Sequence, residues 1–121
     1  MRQILVFGAG RVARPCVQYL LKQENYEVTL VDMDRENIRR VLEDHPRGKG
    51  MTGNAENAGA LIDQVHPDLV MNLLPRPFLE PLARVCLEKG VHMINLSYIT
   101  EPIRGLEDAV TRKGLIFLYE L

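Results

Sequence analysis

No apolar stretch in this chain approaches the eighteen or more residues of a membrane-spanning helix, and the N-terminus runs straight into a strand pattern instead of a signal peptide. Both absences point to the cytoplasm. Charge of one sign is missing too: the formal net charge of −1 gives no electrostatic reason to expect nucleic acid or an anionic membrane as partner. Cysteine is scarce. Cys16 and Cys86 stand alone, with no CxxC pair and no His–Cys cluster at metal-ligand spacing, so no metal site is expected. Each falls on the apolar face of a separate helix pattern and reads as a small buried hydrophobe; a redox pair would need both helices on one face of a sheet. His45, His66 and His92 are scattered, and none is given a role. Repeats, low-complexity tracts and linkers are absent, so the 121 residues make one domain with room for a real core. At 46% hydrophobic and 26% charged residues, the composition is that of an ordinary globular protein.

What is present starts at Ile4-Leu5-Val6-Phe7, an apolar run that leads into Gly8-Ala9-Gly10-Arg11-Val12-Ala13 and then a helical pattern through Cys16, Val17, Leu20 and Leu21. A glycine-rich turn between strand and helix suits a pyrophosphate: Gly8 allows the tight turn, Gly10 lets the backbone approach a diphosphate, and the helix N-terminus offers unpaired N–H groups. Ala13 takes the place of the third glycine. The motif gains weight from its setting, because Tyr26-Glu27-Val28-Thr29-Leu30-Val31-Asp32 is a second strand pattern ending in an acid 22 positions after Gly10. A carboxylate there can accept both hydroxyls of an adenosine ribose and would repel a 2′-phosphate, which favours NAD; Arg35 nearby keeps NADP in play. The bland alternative is that Asp32 caps the helix beginning near Asp34.

Beyond this, the hydrophobic period alternates between 2 and 3.6. Strands are expected near 3–7, 27–31, 49–52, 69–73, 91–95 and 115–118, and helices near 12–23, 35–43, 56–65, 78–89 and 102–113. The weakest is the third strand, Lys49-Gly50-Met51-Thr52. This order predicts an α/β fold: a doubly wound parallel sheet with strand order 3-2-1-4-5-6 and helices on both faces. Pro15 is read as fixing the angle at which the first helix leaves the turn. The run from Asp34 to Arg40 reads as a solvated helix with an i,i+4 pair between Glu36 and Arg40. In such a fold, ligands lie across the carboxyl ends of the strands. The loop after strand four, Asn72-Leu73-Leu74-Pro75-Arg76-Pro77-Phe78, therefore matters, with Arg76 placed to meet a phosphate or a substrate carboxylate or simply solvated. After strand five, Ser97 and Tyr98 would face the nicotinamide end, although Tyr98 could instead pack on the next helix.

Gly-Ala-Gly-Arg-Val-Ala-Arg-Pro at 8–15, Leu-Leu-Pro at 73–75 and Ser-Tyr-Ile-Thr at 97–100 together resemble the N-terminal domain of saccharopine dehydrogenases, a likeness that runs through essentially the whole chain. The resemblance implies an NAD(P)-dependent oxidoreductase acting on the C–N bond of a secondary amine in lysine or polyamine metabolism. It gives Gly8, Gly10, Arg11 and Val12 to the diphosphate, Asp32 to the adenosine ribose, Leu74 and Pro75 to the floor under the cofactor, and Ser97 and Tyr98 to the reactive ring; Met33, beside Asp32, is counted with the cofactor-binding residues. Arg76 stands where the family often has an aromatic residue, and Thr52-Gly53-Asn54-Ala55 lacks an aspartate often found there, so recognition of the adenine edge is expected to be either weaker or amide-based through Asn54. The chain stops at Glu120-Leu121, where the family continues into its catalytic part.

No residue is a persuasive general base, and no catalytic residue is assigned. The expectation is a dinucleotide-binding domain over 1–121 that binds cofactor without turnover, has a C-terminal catalytic domain as its missing partner, and self-associates weakly through the surface that domain would cover. Two other readings compete. Up to Asp32-Met33-Asp34 the chain also resembles the NAD-sensing regulatory domains of potassium uptake systems, but the stretch 72–100 has no counterpart there. A module that has lost its ligand is the third; Gly8, Gly10 and Asp32 argue against it, because folding is not expected to demand any of them at that spacing.

Overall fold

The computed structural model describes residues 1–95 and 101–119, the side chain of Pro102 excepted. Six parallel strands form one sheet in the order β3-β2-β1-β4-β5-β6: β1 Arg2–Phe7, β2 Tyr26–Asp32, β3 Gly48–Thr52, β4 Leu69–Asn72, β5 His92–Asn95 and β6 Phe117–Leu118. The helices are α1 Ala13–Leu21, α2 Arg35–Leu42, α3 Ala58–Val65, α4 Leu79–Lys89, α5 Glu101–Arg104 and α6 Glu107–Arg112. The expected α/β architecture and strand order are the observed ones. Where single helices are expected at 56–65 and 78–89, each begins with a 3₁₀ turn, Ala55–Asn57 and Arg76–Phe78; the expected 102–113 helix is two short helices.

Strand β1 sits at the centre and is buried on both faces, as a parallel strand flanked by helices must be. Its alternation divides the core in two. Leu5 and Phe7 pack with Val70, Met93 and α3–α5, while Ile4 and Val6 pack with Val28, Leu30 and the apolar faces of α1 and α2. Fully burying side chains of this size is worth roughly 1.5–3 kcal/mol each. Strand β3 carries little apolar signal for a steric reason. A Cβ at Gly50 would lie 2.4 Å from Cγ2 of Ile38, so α2 can lie on β3 only where side chains are missing.

Arginine and glutamine close the lower ends of the helices, a role invisible in the hydrophobic pattern. The half-buried Arg47 guanidinium donates to the carbonyls of Leu21 (2.6 Å), Tyr26 (2.7 Å) and Gln23, satisfying the C-terminal end of α1. Gln18 Nε2 donates to the Val41 carbonyl at 2.7 Å and so ties α1 to the end of α2. Pro15 is the third residue of α1, within the turn whose N–H groups have no intrahelical acceptor, so its missing donor costs little. Among the described residues, no helix is long and apolar enough to cross a membrane.

Candidate functional site

The carboxyl ends of β1, β2, β3 and β4 converge on one rim of the sheet, and most of the residues singled out from the sequence stand there. Gly8 follows β1 with φ +105°, and a Cβ on it would meet the backbone C and O of Leu73 at 3.0 Å. Its glycine is therefore demanded by the fold as well as by any ligand. Gly10 differs: its φ is not in the left-handed region, and a Cβ there would meet nothing within 4 Å. The Gly10 carbonyl accepts the Ala13 N–H at 3.1 Å, which closes the turn into α1. Among the described residues, no protein acceptor takes the N–H groups of Gly10, Arg11 or Val12. All three residues are exposed, so the turn presents backbone donors and free space at the N-terminus of α1. Arg40 reaches over from α2, with Nη2 3.5 Å from the Ala9 carbonyl; Glu36 pairs with Arg39 at 3.1 Å instead of the expected Arg40. A second cation is thereby brought to the turn that holds Arg11, while the Arg14 guanidinium is paired with Glu43.

Asp32, at the end of β2, holds the turn in shape. Its Oδ1 accepts the N–H of buried Ala9 at 3.0 Å, and Oδ2 accepts the N–H of Asp34 at 3.0 Å. The helix cap is Asp34 and not Asp32, because Asp34 Oδ1 accepts the Glu36 N–H at 2.9 Å. Folding therefore asks for both Gly8 and Asp32, contrary to the expectation that neither is required. Of the three residues that argue for a ligand, Gly10 alone retains that force.

Beside Asp32 lies a narrow cleft of about 180 Å³, lined by Phe7, Val31, Met33, Gly53, Asn54, Leu74 and Phe78 among others. Its size suits one flat ring system and is below that of a whole drug-sized ligand. Met33 and Leu74 give it apolar sides. Asn54 stands at its edge, but Asn54 Oδ1 is committed to the N–H of Glu56 at 2.9 Å in the cap of the 3₁₀ turn. Its NH₂ group remains the polar contact it can offer. Pro75 and Arg76 are exposed on the same rim, Pro75 capping the turn that Arg76 begins. Ser97 and Tyr98 lie outside the described residues.

The hydrophobic pattern gave no hint of a buried amide pair one layer below. Asn72 and Asn95, the last residues of β4 and β5, are 1% and 0% exposed. Asn72 Nδ2 donates to Asn95 Oδ1 at 2.9 Å, and Asn72 Oδ1 accepts the Leu74 N–H at 3.0 Å. The signal available in the sequence was an asparagine directly after two apolar residues at the end of each strand.

The remaining candidates are structural. Cys16 lies on the α1 face of the sheet, Cys86 on the α4 face, so they cannot pair. Burial pushes the Cys86 thiol up to about 12 and raises that of Cys16, which keeps both protonated and unreactive. His45 and His92 each accept a backbone N–H, from Arg47 and Ile116, through Nδ1; His66 is the left-handed residue that ends α3. Among the described residues, no cluster of His, Cys, Asp or Glu could hold a metal ion.

A family model described as the saccharopine dehydrogenase NADP binding domain matches residues 4–118. Alpha-aminoadipic semialdehyde synthase, mitochondrial, of Bos taurus is 31% identical over 99% of the chain, and saccharopine dehydrogenase (NADP(+), L-glutamate-forming) of Schizosaccharomyces pombe is 25% identical over 100% of it. The chain spans 13% and 27% of the lengths of those two relatives. Apo saccharopine dehydrogenase (L-Glu forming) from Saccharomyces cerevisiae has the same fold, with a TM-score of 0.88 at 22% identity over all of this chain and 27% of that one. The potassium-system sensors are not the family matched.

Proposed function

Because the chain belongs to the family of saccharopine dehydrogenase NADP-binding domains, we propose that it holds NADP(H) for an oxidoreductase that acts on the C–N bond of a secondary amine in lysine or polyamine metabolism. The observation that carries this reading is the Gly10–Val12 turn, where space and backbone donors stand together and folding requires neither. The diphosphate lies against these N–H groups, with Arg11 and Arg40 neutralising its charge. The adenine enters the cleft between Met33 and Leu74, its polar edge toward the Asn54 amide. The nicotinamide half runs over Leu74 and Pro75 toward the end of β5, where Ser97 and Tyr98 follow in sequence. When bound, the dinucleotide supplies two-electron redox chemistry, and this chain's contribution is to bind and orient it. The base, the substrate contacts and the surface that excludes water belong to a separate catalytic part, so residues 1–121 alone bind without turnover.

The carboxylate of Asp32 taken alone argues for NAD, and two observations turn the argument toward NADP. Both Asp32 oxygens already accept backbone N–H groups, which spreads its charge into the turn. Arg35 opens α2 and shares with Thr52, the last residue of β3, the upper end of a groove of about 320 Å³. Among the described residues it has no carboxylate partner, whereas Arg39 is held by Glu36. Arg35 is therefore assigned to the 2′-phosphate. Calorimetric titration of wild type and Arg35→Ala with NADP+ and NAD+ checks this. NADP+ affinity is expected to fall about tenfold, or ~1.4 kcal/mol, with NAD+ affinity changed less than about twofold. An equal loss for both ligands would remove Arg35 from the 2′-phosphate.

A further inference from the structure

The rim of an α/β sheet is where polar groups meet ligands, but Asn72 and Asn95 are turned below it and are fully buried. The neighbouring inward positions on the same strands, Val70 and Met93, are apolar core. Two aliphatic side chains would fill this layer with no polar group to satisfy, so the amides need another explanation. Their hydrogen bonds supply one. The two residues face each other in the sheet register, each at the last position of its strand. Asn72 Oδ1 fixes the Leu74 N–H at 3.0 Å, and Asn95 Nδ2 approaches the Leu118 carbonyl at 3.4 Å. The Leu73–Leu74 peptide held in this way is the one that Gly8 presses against. One amide–amide bond of 2.9 Å thus links the phosphate turn, the strap after β4 and the end of β5.

We propose that the Asn72–Asn95 amide bridge is a positioning device for the nicotinamide half of the dinucleotide, setting the height of the Leu73–Pro75 strap and tying it to the end of β5. The proposal rests on the dinucleotide reading. Neither asparagine touches the ligand; both act through Leu74 and the strand end. The adenine half shares Leu74 with the strap but is otherwise held by the ends of β2 and β3, at Met33 and Asn54, so the bridge should matter mainly to the nicotinamide half.

This separation defines the test. The replacement N72L/N95L removes both amides together, so neither amide is orphaned in the core; it frees the half-buried Leu74 N–H, which is the tie under test, and should retain a cooperative thermal transition. Binding of NADPH and of 2′,5′-ADP, which carries the adenine half alone, is measured for this variant and for wild type. Wild type should bind NADPH more tightly than 2′,5′-ADP. In the double variant 2′,5′-ADP affinity should stay within about twofold while NADPH affinity falls about tenfold. An unchanged NADPH affinity, or equal losses for both ligands, would overturn the proposal and leave the pair a structural tie. Should the double variant fail to fold, Asn95→Ser reads the same ratio with a smaller polar group at the site. If wild type binds neither ligand, the dinucleotide reading falls and the proposal with it; if it binds both with equal affinity, the proposal alone falls.

Discussion

Gly8→Val should lose at least ~3 kcal/mol of stability and about a hundredfold or more in dinucleotide affinity, because two separate costs fall on one residue. The backbone at Gly8 has φ +105°, a region in which a β-branched residue is strained. The first carbon of any side chain would also lie 3.0 Å from the Leu73 carbonyl group and 3.2 Å from the Leu74 nitrogen. Those are backbone atoms, held by the Leu73 N–H to the Phe7 carbonyl at 2.8 Å and by Asn72, so they cannot swing aside as a side-chain tip could. The strap after β4 must lift, and the phosphate turn must lift with it. Gly10→Ala is the matched control. With nothing within 4 Å of the new methyl, its melting temperature should hold or rise slightly, while affinity falls because the methyl stands where the diphosphate approaches. Thermal melts and calorimetric titrations of both variants check the contrast. A Gly10→Ala protein that binds like wild type would place the diphosphate elsewhere.

Asp32→Ala should cost about 2 kcal/mol, a drop in melting temperature of roughly 6–12 °C, in the absence of any ligand. The cause is the Ala9 N–H. Ala9 is fully buried, and its donor at 3.0 Å from Asp32 Oδ1 has no water to turn to when the carboxylate is removed. The Asp34 N–H, on an exposed residue, can be solvated and adds little. A loss of binding in this variant therefore does not by itself demonstrate a ribose contact, since the turn that holds the diphosphate loses its anchor too. Asp32→Asn separates the roles, because an amide oxygen can keep the Ala9 bond. This variant should recover more than half of the lost stability in a thermal melt. If Asp32→Ala melts with wild type, the carboxylate is not what holds the turn.

Much of the fold was legible because parallel strands buried on both faces write apolar runs, unbroken at Ile4–Phe7 and interrupted only by Thr29 at Val28–Val31. The strand order followed from the alternation of periods, and the glycine turn from its place between strand and helix. Strand β3 was faint because Gly48 and Gly50 replace the side chains that would have marked it, making room for Leu42 and Ile38. The 3₁₀ turns that open α3 and α4 are three residues long, too short for periods of 3.0 and 3.6 to be told apart, and the break within the last helical region falls at Gly105 and Leu106 inside an otherwise helical pattern. At the site, the positions of Gly8, Asp32, Met33 and Leu74 were readable, but their duties were not. That Asp32 serves the Ala9 N–H, that Arg40 reaches back to the turn, and that Asn72 meets Asn95 are facts of three-dimensional contact between residues 23 to 31 positions apart. The choice between NAD and NADP meets the same gap, because nothing in the sequence shows that both oxygens of Asp32 accept backbone N–H groups.

A dinucleotide lying across this rim, with its diphosphate on the N–H groups of Gly10, Arg11 and Val12, must change the surroundings of those three amides first. Amide spectra of the isotope-labelled chain titrated with NADP+ read that change residue by residue. The largest shifts should fall on Gly10, Arg11 and Val12, with further shifts at Met33 and Asn54, and none at Arg47 or His66 on the opposite rim. Shifts centred on that opposite rim, or a turn that does not respond at saturating NADP+, would contradict this placement.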